Sequence, residues 1–176
     1  MNVGIRYAKA LFELAEQHGT IDRFMQELSE IRELFSGNEE LGGIFYNRLI
    51  DRTRKIKVLS DVYDRLYLSK EVKNLLVLLI DGGREKSLGD VVAAYEQMSY
   101  DYKGLVKAEV YSAYDITPEE MDALKAKIKA LFNREPVLSV NRDSSVIGGI
   151  KLKVGWTVYD GTIRTNLMGF MGSIKV

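Results

Sequence analysis

An all-α six-helix bundle followed by a small α+β domain is the architecture this sequence predicts, and three observations carry it. Apolar residues recur every three or four positions from the start to about Gly104, the spacing of helices with one buried face. Beyond Gly104 the period changes, because Val106, Ala108 and Val110 alternate with Lys107 and Glu109, as in a strand with one face toward a core. A helix-start signature, Thr117-Pro118-Glu119-Glu120, then restores helical spacing. The predicted boundary is Gly104, with a helical domain over 1–104 and an α+β domain over 105–176.

In the first part, Ile5, Ala8, Phe12 and Ala15 mark one helix. Ile21, Phe24, Leu28, Ile31 and Phe35 mark a second, with Thr20 placed to cap it. A short third follows Asn38 and carries Leu41, Ile44 and Phe45; a fourth carries Ile56, Leu59, Tyr63 and Leu66. The fifth begins near Ser69, carries Val72, Leu75, Leu76 and Leu79, and stops at Gly82-Gly83, where glycine closes a helix readily. Leu88, Val91, Tyr95, Met98 and Tyr102 make the sixth.

In the second part, the strand beginning near Val106 is followed by a helix whose stripe is Met121, Leu124, Ile128, Leu131 and Phe132. Val137 to Val140 reads as a short strand, and Ile150, Leu152 and Val154 as another. The last expected helix carries Ile163, Leu167, Phe170, Met171 and Ile174.

Bulk composition removes several function classes. The chain of 176 residues has 25 basic and 25 acidic residues, whereas a nucleic-acid binder usually shows a basic excess. The halves show none either: 15 basic and 17 acidic residues up to Gly104, then 10 and 8. There is no cysteine, which excludes disulfides, thiolate metal sites and cysteine nucleophiles. The N-terminal stretch lacks the segments of a secretory signal and is too acidic for an import presequence. The longest apolar run, Leu75 to Ile80, is far below the roughly 20 residues of a spanning helix.

Four glycines within fourteen residues (Gly148, Gly149, Gly155 and Gly161) raise the question of a phosphate cradle. Such a cradle packs its glycines into one turn between a strand and a helix start. Here Gly148-Gly149 precede a strand, Gly155-Trp156 sits between extended segments as in a hairpin turn, and only Asp160-Gly161 leads into a predicted helix. The glycines therefore read as punctuation. His18 is the only histidine; it lies near the end of a helix, where a cation meets the dipole favourably. Glu39-Glu40 and Glu119-Glu120 stand where helices begin, as carboxylates commonly do. Tyr95, Tyr100, Tyr102, Tyr111 and Tyr114 have no basic surface around them that would suit base stacking. No catalytic, cofactor or metal site is predicted.

Three stretches, RYAKALFELA, NLLVLLIDGGR and above all IGGIKLKVGWTVYDGTIRTNL, resemble the delta subunit of F-type ATP synthases, whose mitochondrial counterpart is the oligomycin sensitivity-conferring protein. The resemblance covers essentially the whole chain. Its specific part is C-terminal, where a glycine pair, a strand, a glycine turn and Asp-Gly-Thr recur in order. Trp156 departs from the acidic residue common at that turn, Thr162 replaces a serine, and Gly37-Asn38-Glu39-Glu40 lacks the proline often found there.

The resemblance implies a non-catalytic stator subunit, bound peripherally at the cytoplasmic face of a bacterial membrane and touching that membrane only through its complex. Its implied partners are the N-terminal segment of an alpha subunit and the b subunits of the peripheral stalk. An amphipathic alpha-subunit helix docking along the first and fifth helices implies a groove of Tyr7, Leu11, Leu14, Leu75, Leu78 and Leu79. All six equally suit an ordinary core. Met168, Phe170 and Met171 offer soft apolar surface to the stalk, or pack the last helix onto its sheet. A helical adaptor of another complex is the alternative reading.

Overall fold

The computed structural model describes residues 3–146, 149–155 and 157–160. They divide into two compact units between Ser99 and Tyr100. The last turn of the final helix of the first part belongs with the second unit: Asp101 pairs with Arg134, and the Gly104 carbonyl accepts from the Glu135 N–H.

The first unit contains α1 (Val3–His18), α2 (Ile21–Gly37), α3 (Glu39–Tyr46), α4 (Arg52–Leu66), α5 (Lys70–Asp81), a 3₁₀ turn (Glu85–Ser87) and α6 (Leu88–Tyr102). Local side-chain caps open α3 and α4, but not α2 or α5. Asn38 Oδ1 accepts from the Leu41 N–H and Asp51 Oδ1 from the Arg54 N–H, each at 3.0 Å, which caps α3 and α4. Thr20 stands at the cap position of α2, but its hydroxyl makes no capping bond and is buried without a hydrogen-bond partner among the described residues. Ser69, at the start of α5, likewise does not cap it; its N–H and hydroxyl both donate to the Glu27 carboxylate of α2, at 2.8 and 2.6 Å.

The core of this unit is continuous, running through Phe24, Leu28, Phe35, Leu59, Leu76 and Tyr95. α5 packs against α1, α2 and α4, which accounts for its nearly all-round apolar sequence. Phe35 and Phe45 stack with ring centroids 4.4 Å apart, fastening α3 to α2. In α1 the buried line is Gly4, Ala8, Leu11 and Ala15, not the expected line through Ile5 and Phe12. Ile5 is exposed, while Phe12 is half-buried and meets the Tyr95 ring edge-on. Small residues on that line let α1 approach α6 closely: a Cβ built on Gly4 would stand 2.5 Å from the Asp90 Cβ.

In the second unit, β1 (Leu105–Ser112), α7 (Pro118–Phe132), β2 (Glu135–Arg142), β3 (Ile150–Val154) and β4 (Thr157–Asp160) form a helix and a four-stranded mixed sheet. The strand order is β2-β1-β3-β4. β1 pairs with β2 in parallel, Ala108 opposite Leu138, and with β3 antiparallel, Ala108 opposite Val154. α7 supplies the crossover that a parallel pair needs. Its start is the predicted capping box: Thr117 Oγ1 accepts from the Glu120 N–H, Glu120 Oε2 from the Thr117 N–H, and Pro118 opens the first turn.

β2 extends beyond the expected Val137–Val140 because all eight of its residues pair with β1. Pro136 is tolerated because β2 is an edge strand. Val106, Ala108, Leu138, Leu152 and Val154 face Ile128 and Phe132 of α7. Leu131, expected on that stripe, is 71% exposed. β3 and β4 form the expected hairpin, with Val154 opposite Thr157 and Gly155 at φ +57°, a conformation that L residues adopt rarely. The expected C-terminal helix lies outside the described residues.

Candidate functional site

The candidate site is the face that α1 and α5 present together. The two helices pack on each other, and α1 begins near where α5 ends: Arg84 Nη1, three residues beyond α5, donates to the Tyr7 hydroxyl at 3.1 Å. Tyr7 is half-buried against the core. Leu11, Leu75 and Leu79 belong to the core itself. Leu14 and Leu78 point outward, 41% and 52% exposed.

The six residues expected here therefore lie at two depths. Leu11, Leu75 and Leu79 are brought together beneath the surface. Leu14, Leu78 and part of Tyr7 remain available to a second molecule. Helix geometry explains the separation on α5, since Leu75 and Leu79 are one turn apart while Leu78 is rotated toward solvent. Met168, Phe170 and Met171 lie outside the described residues.

Several polar groups of the helical unit are engaged with their neighbours. Tyr95 donates to the Ile21 carbonyl at 3.2 Å, and burial, with Asp22 and Glu27 nearby, raises its hydroxyl above the usual tyrosine range. Burial pushes Tyr63 up to about 12. Arg52 hydrogen-bonds Asp81 and holds that carboxyl below its ordinary value. In the second unit, the Tyr111 hydroxyl donates to Glu109 at 2.6 Å and Lys153 lies 3.3 Å away, which lowers the Glu109 carboxyl despite partial burial.

Among the described residues no group of three or more His, Asp or Glu side chains is placed to hold a metal ion. Among them no helix is long and apolar enough to cross a membrane. The arrangement can offer apolar side chains flanked by a cation to a partner. Sequence reasoning missed Arg84, whose link to Tyr7 joins residues 77 positions apart and has no local signature.

Comparison with known proteins agrees along the whole length. The sequence model of the ATP synthase delta (OSCP) subunit matches residues 3–173. ATP synthase subunit delta of Trichlorobacter lovleyi is 32% identical over 162 residues, covering 92% of this chain and 90% of that protein. The protein of the same name from Desulforapulum autotrophicum is 31% identical over 175 residues, 99% of this chain and 96% of that one. A chain in the cryo-EM structure of the Toxoplasma gondii mitochondrial ATP synthase hexamer shares the fold, with a TM-score of 0.82 over 99% of this chain and 98% of that chain at 19% identity. A helical part, a mixed-sheet part and a family match spanning both lead to one conclusion: the chain belongs to the ATP synthase delta (OSCP) subunit family.

Proposed function

We propose that this protein is a non-catalytic stator subunit of a rotary ATP synthase. It holds the catalytic head to the peripheral stalk, so that the head does not turn with the rotor and ion flow stays coupled to ATP synthesis. In this reading residues 1–104 act as one six-helix bundle that grips the N-terminal segment of an alpha subunit. Residues 105–176 hold the b subunits, with Met168, Phe170 and Met171 as contact candidates. The protein then sits peripherally at the cytoplasmic face of a bacterial membrane, attached through its partners.

The observation that carries this reading is the family match along the chain. The exposure of Leu14 and Leu78 on packed neighbouring helices supports the site. An amphipathic helix laid across them would cover both leucines and the exposed edge of Tyr7, while Leu11, Leu75 and Leu79 hold the floor rigid.

The test is calorimetric titration of the full chain with a synthetic peptide from the N-terminus of the matching alpha subunit. A one-to-one complex weakened at least about tenfold by Leu78→Asp, about 1.4 kcal/mol, is the expected result. No binding to the folded protein would remove the stator assignment and favour an adaptor of another complex.

A further inference from the structure

A cavity of ≈ 380 Å³ opens beside the start of α4, away from the leucines of the α1–α5 face. Its walls include Arg48, Arg52, Lys55 and Glu85, with Ile50 and Ile80. Three of these side chains are cations and one is an anion. Lys55 and Glu85 are bonded to each other and only 3% and 5% exposed. An ammonium has three donors, and one of them meets Glu85.

Arg52 is the first residue of α4 and is held by Asp81 through Nε and, at 3.3 Å, through Nη2. Its Nη1 has no protein partner among the described residues. Arg48 has neither an ion pair nor a hydrogen bond among them. Asp51, the nearest further carboxylate in sequence, is turned to the Arg54 N–H as the cap of α4. Lys55 is matched by Glu85 and Arg52 by Asp81, so the unmatched positive charge of the cavity walls is that of Arg48.

The unengaged Arg48 guanidinium and the Nη1 of Arg52, set beside the buried Lys55 ammonium, provide the chemistry that recognises a compact oxyanion. We infer that this cavity binds a small phosphate-type oxyanion. Arg48 and Arg52 grasp it from the rim, Lys55 meets it from within, and Glu85 fixes Lys55 in place. Inorganic phosphate and the phosphates of a nucleotide share this chemistry. The inference stands independently of the stator reading, because it uses no residue of the α1–α5 face.

The test is NMR titration of the isotope-labelled full chain at low salt with inorganic phosphate, pyrophosphate and ATP, using chloride as a control. Saturable shifts confined to residues 48–55 and 80–85 are expected, stronger for pyrophosphate than for phosphate. Arg48→Ala, which removes an exposed side chain and leaves the melting curve unchanged, weakens the binding about tenfold, and Arg48→Lys recovers part of it. ATP matching pyrophosphate would identify nucleotide phosphates as a ligand source; phosphate and pyrophosphate binding without ATP would identify the free anion. Shifts that spread over all basic residues without saturating, or undiminished binding by Arg48→Ala, would overturn the inference.

Discussion

Gly4 of α1 lies so close to Asp90 of α6 that any side chain at position 4 meets the Asp90 Cβ at 2.5 Å and the Val91 nitrogen at 3.2 Å. The obstructing atoms are backbone or rooted in it, so they cannot swing aside. Gly4→Ala gains up to about 1 kcal/mol of helix propensity but forces the two helices apart, and overpacking costs about 1–3 kcal/mol. The expected net result is a lower melting temperature, with a larger loss for Gly4→Val. A melting temperature raised by Gly4→Ala would show that the approach is looser than described.

Glu27 is the acceptor on which the start of α5 depends. Its buried carboxylate takes the N–H and the hydroxyl of Ser69 and, at 2.8 Å, the Arg23 Nε–H. Glu27→Ala leaves buried donors without an acceptor and is expected to destabilise by about 3 kcal/mol. Ser69→Ala, which keeps the N–H bond, costs about 1 kcal/mol. Urea unfolding of the two variants measures the ratio; equal losses would mean that Glu27 does not cap α5.

Lys55 and Glu85 form a buried pair between α4 and the turn that follows α5. Breaking it with Lys55→Met strands a carboxylate and is expected to cost about 3–5 kcal/mol. Lys55→Met combined with Glu85→Leu removes both charges and recovers most of that loss. A double-mutant cycle in chemical denaturation reads the coupling, and additive losses would contradict it.

The Glu109 carboxyl is depressed, first by the Tyr111 hydroxyl and then by Lys153. Because its folded value lies below the ordinary 4.5, its contribution to stability is present above pH 4.5 and is lost as pH falls through the folded value. Tyr111→Phe removes the larger cause, so the Glu109 carboxyl is expected to titrate closer to 4.5. Carbon-detected NMR of the side-chain carboxyl follows this directly, and an unchanged midpoint would rule out the hydrogen bond as the cause.

Local chemistry made much of the fold legible. The capping box at Thr117 and Glu120 needs only four consecutive residues, and the hairpin at Gly155 needs only a turn between alternating stretches. Longer-range selection did not show. Thr20 and Ser69 carry the same cap signature as Asn38, yet neither side chain caps its helix; Ser69 instead meets a carboxylate 42 residues away. Leu131 sits three residues from Ile128, but the sheet accepts Ile128 and Phe132 and leaves Leu131 to solvent.

The candidate site was partly legible for the same reason. An apolar run shows that α5 buries much of its surface, but only the packed neighbours decide that Leu79 goes inward and Leu78 outward.

The sheet order sets a timetable for biosynthesis. β1 is an inner strand, flanked by β2 and β3, yet it is the first strand of its unit to be translated. One of its hydrogen-bonding edges stays open until α7 and β2 have been made, and the other until the chain has reached Val154. At about 5–20 residues per second that interval is roughly 2–8 s. During it the Val106–Val110 stretch is an unshielded template for intermolecular pairing. Release of a truncated chain before Ile150 would therefore yield a sticky product, and the nascent second unit is where a ribosome-associated chaperone has most to protect.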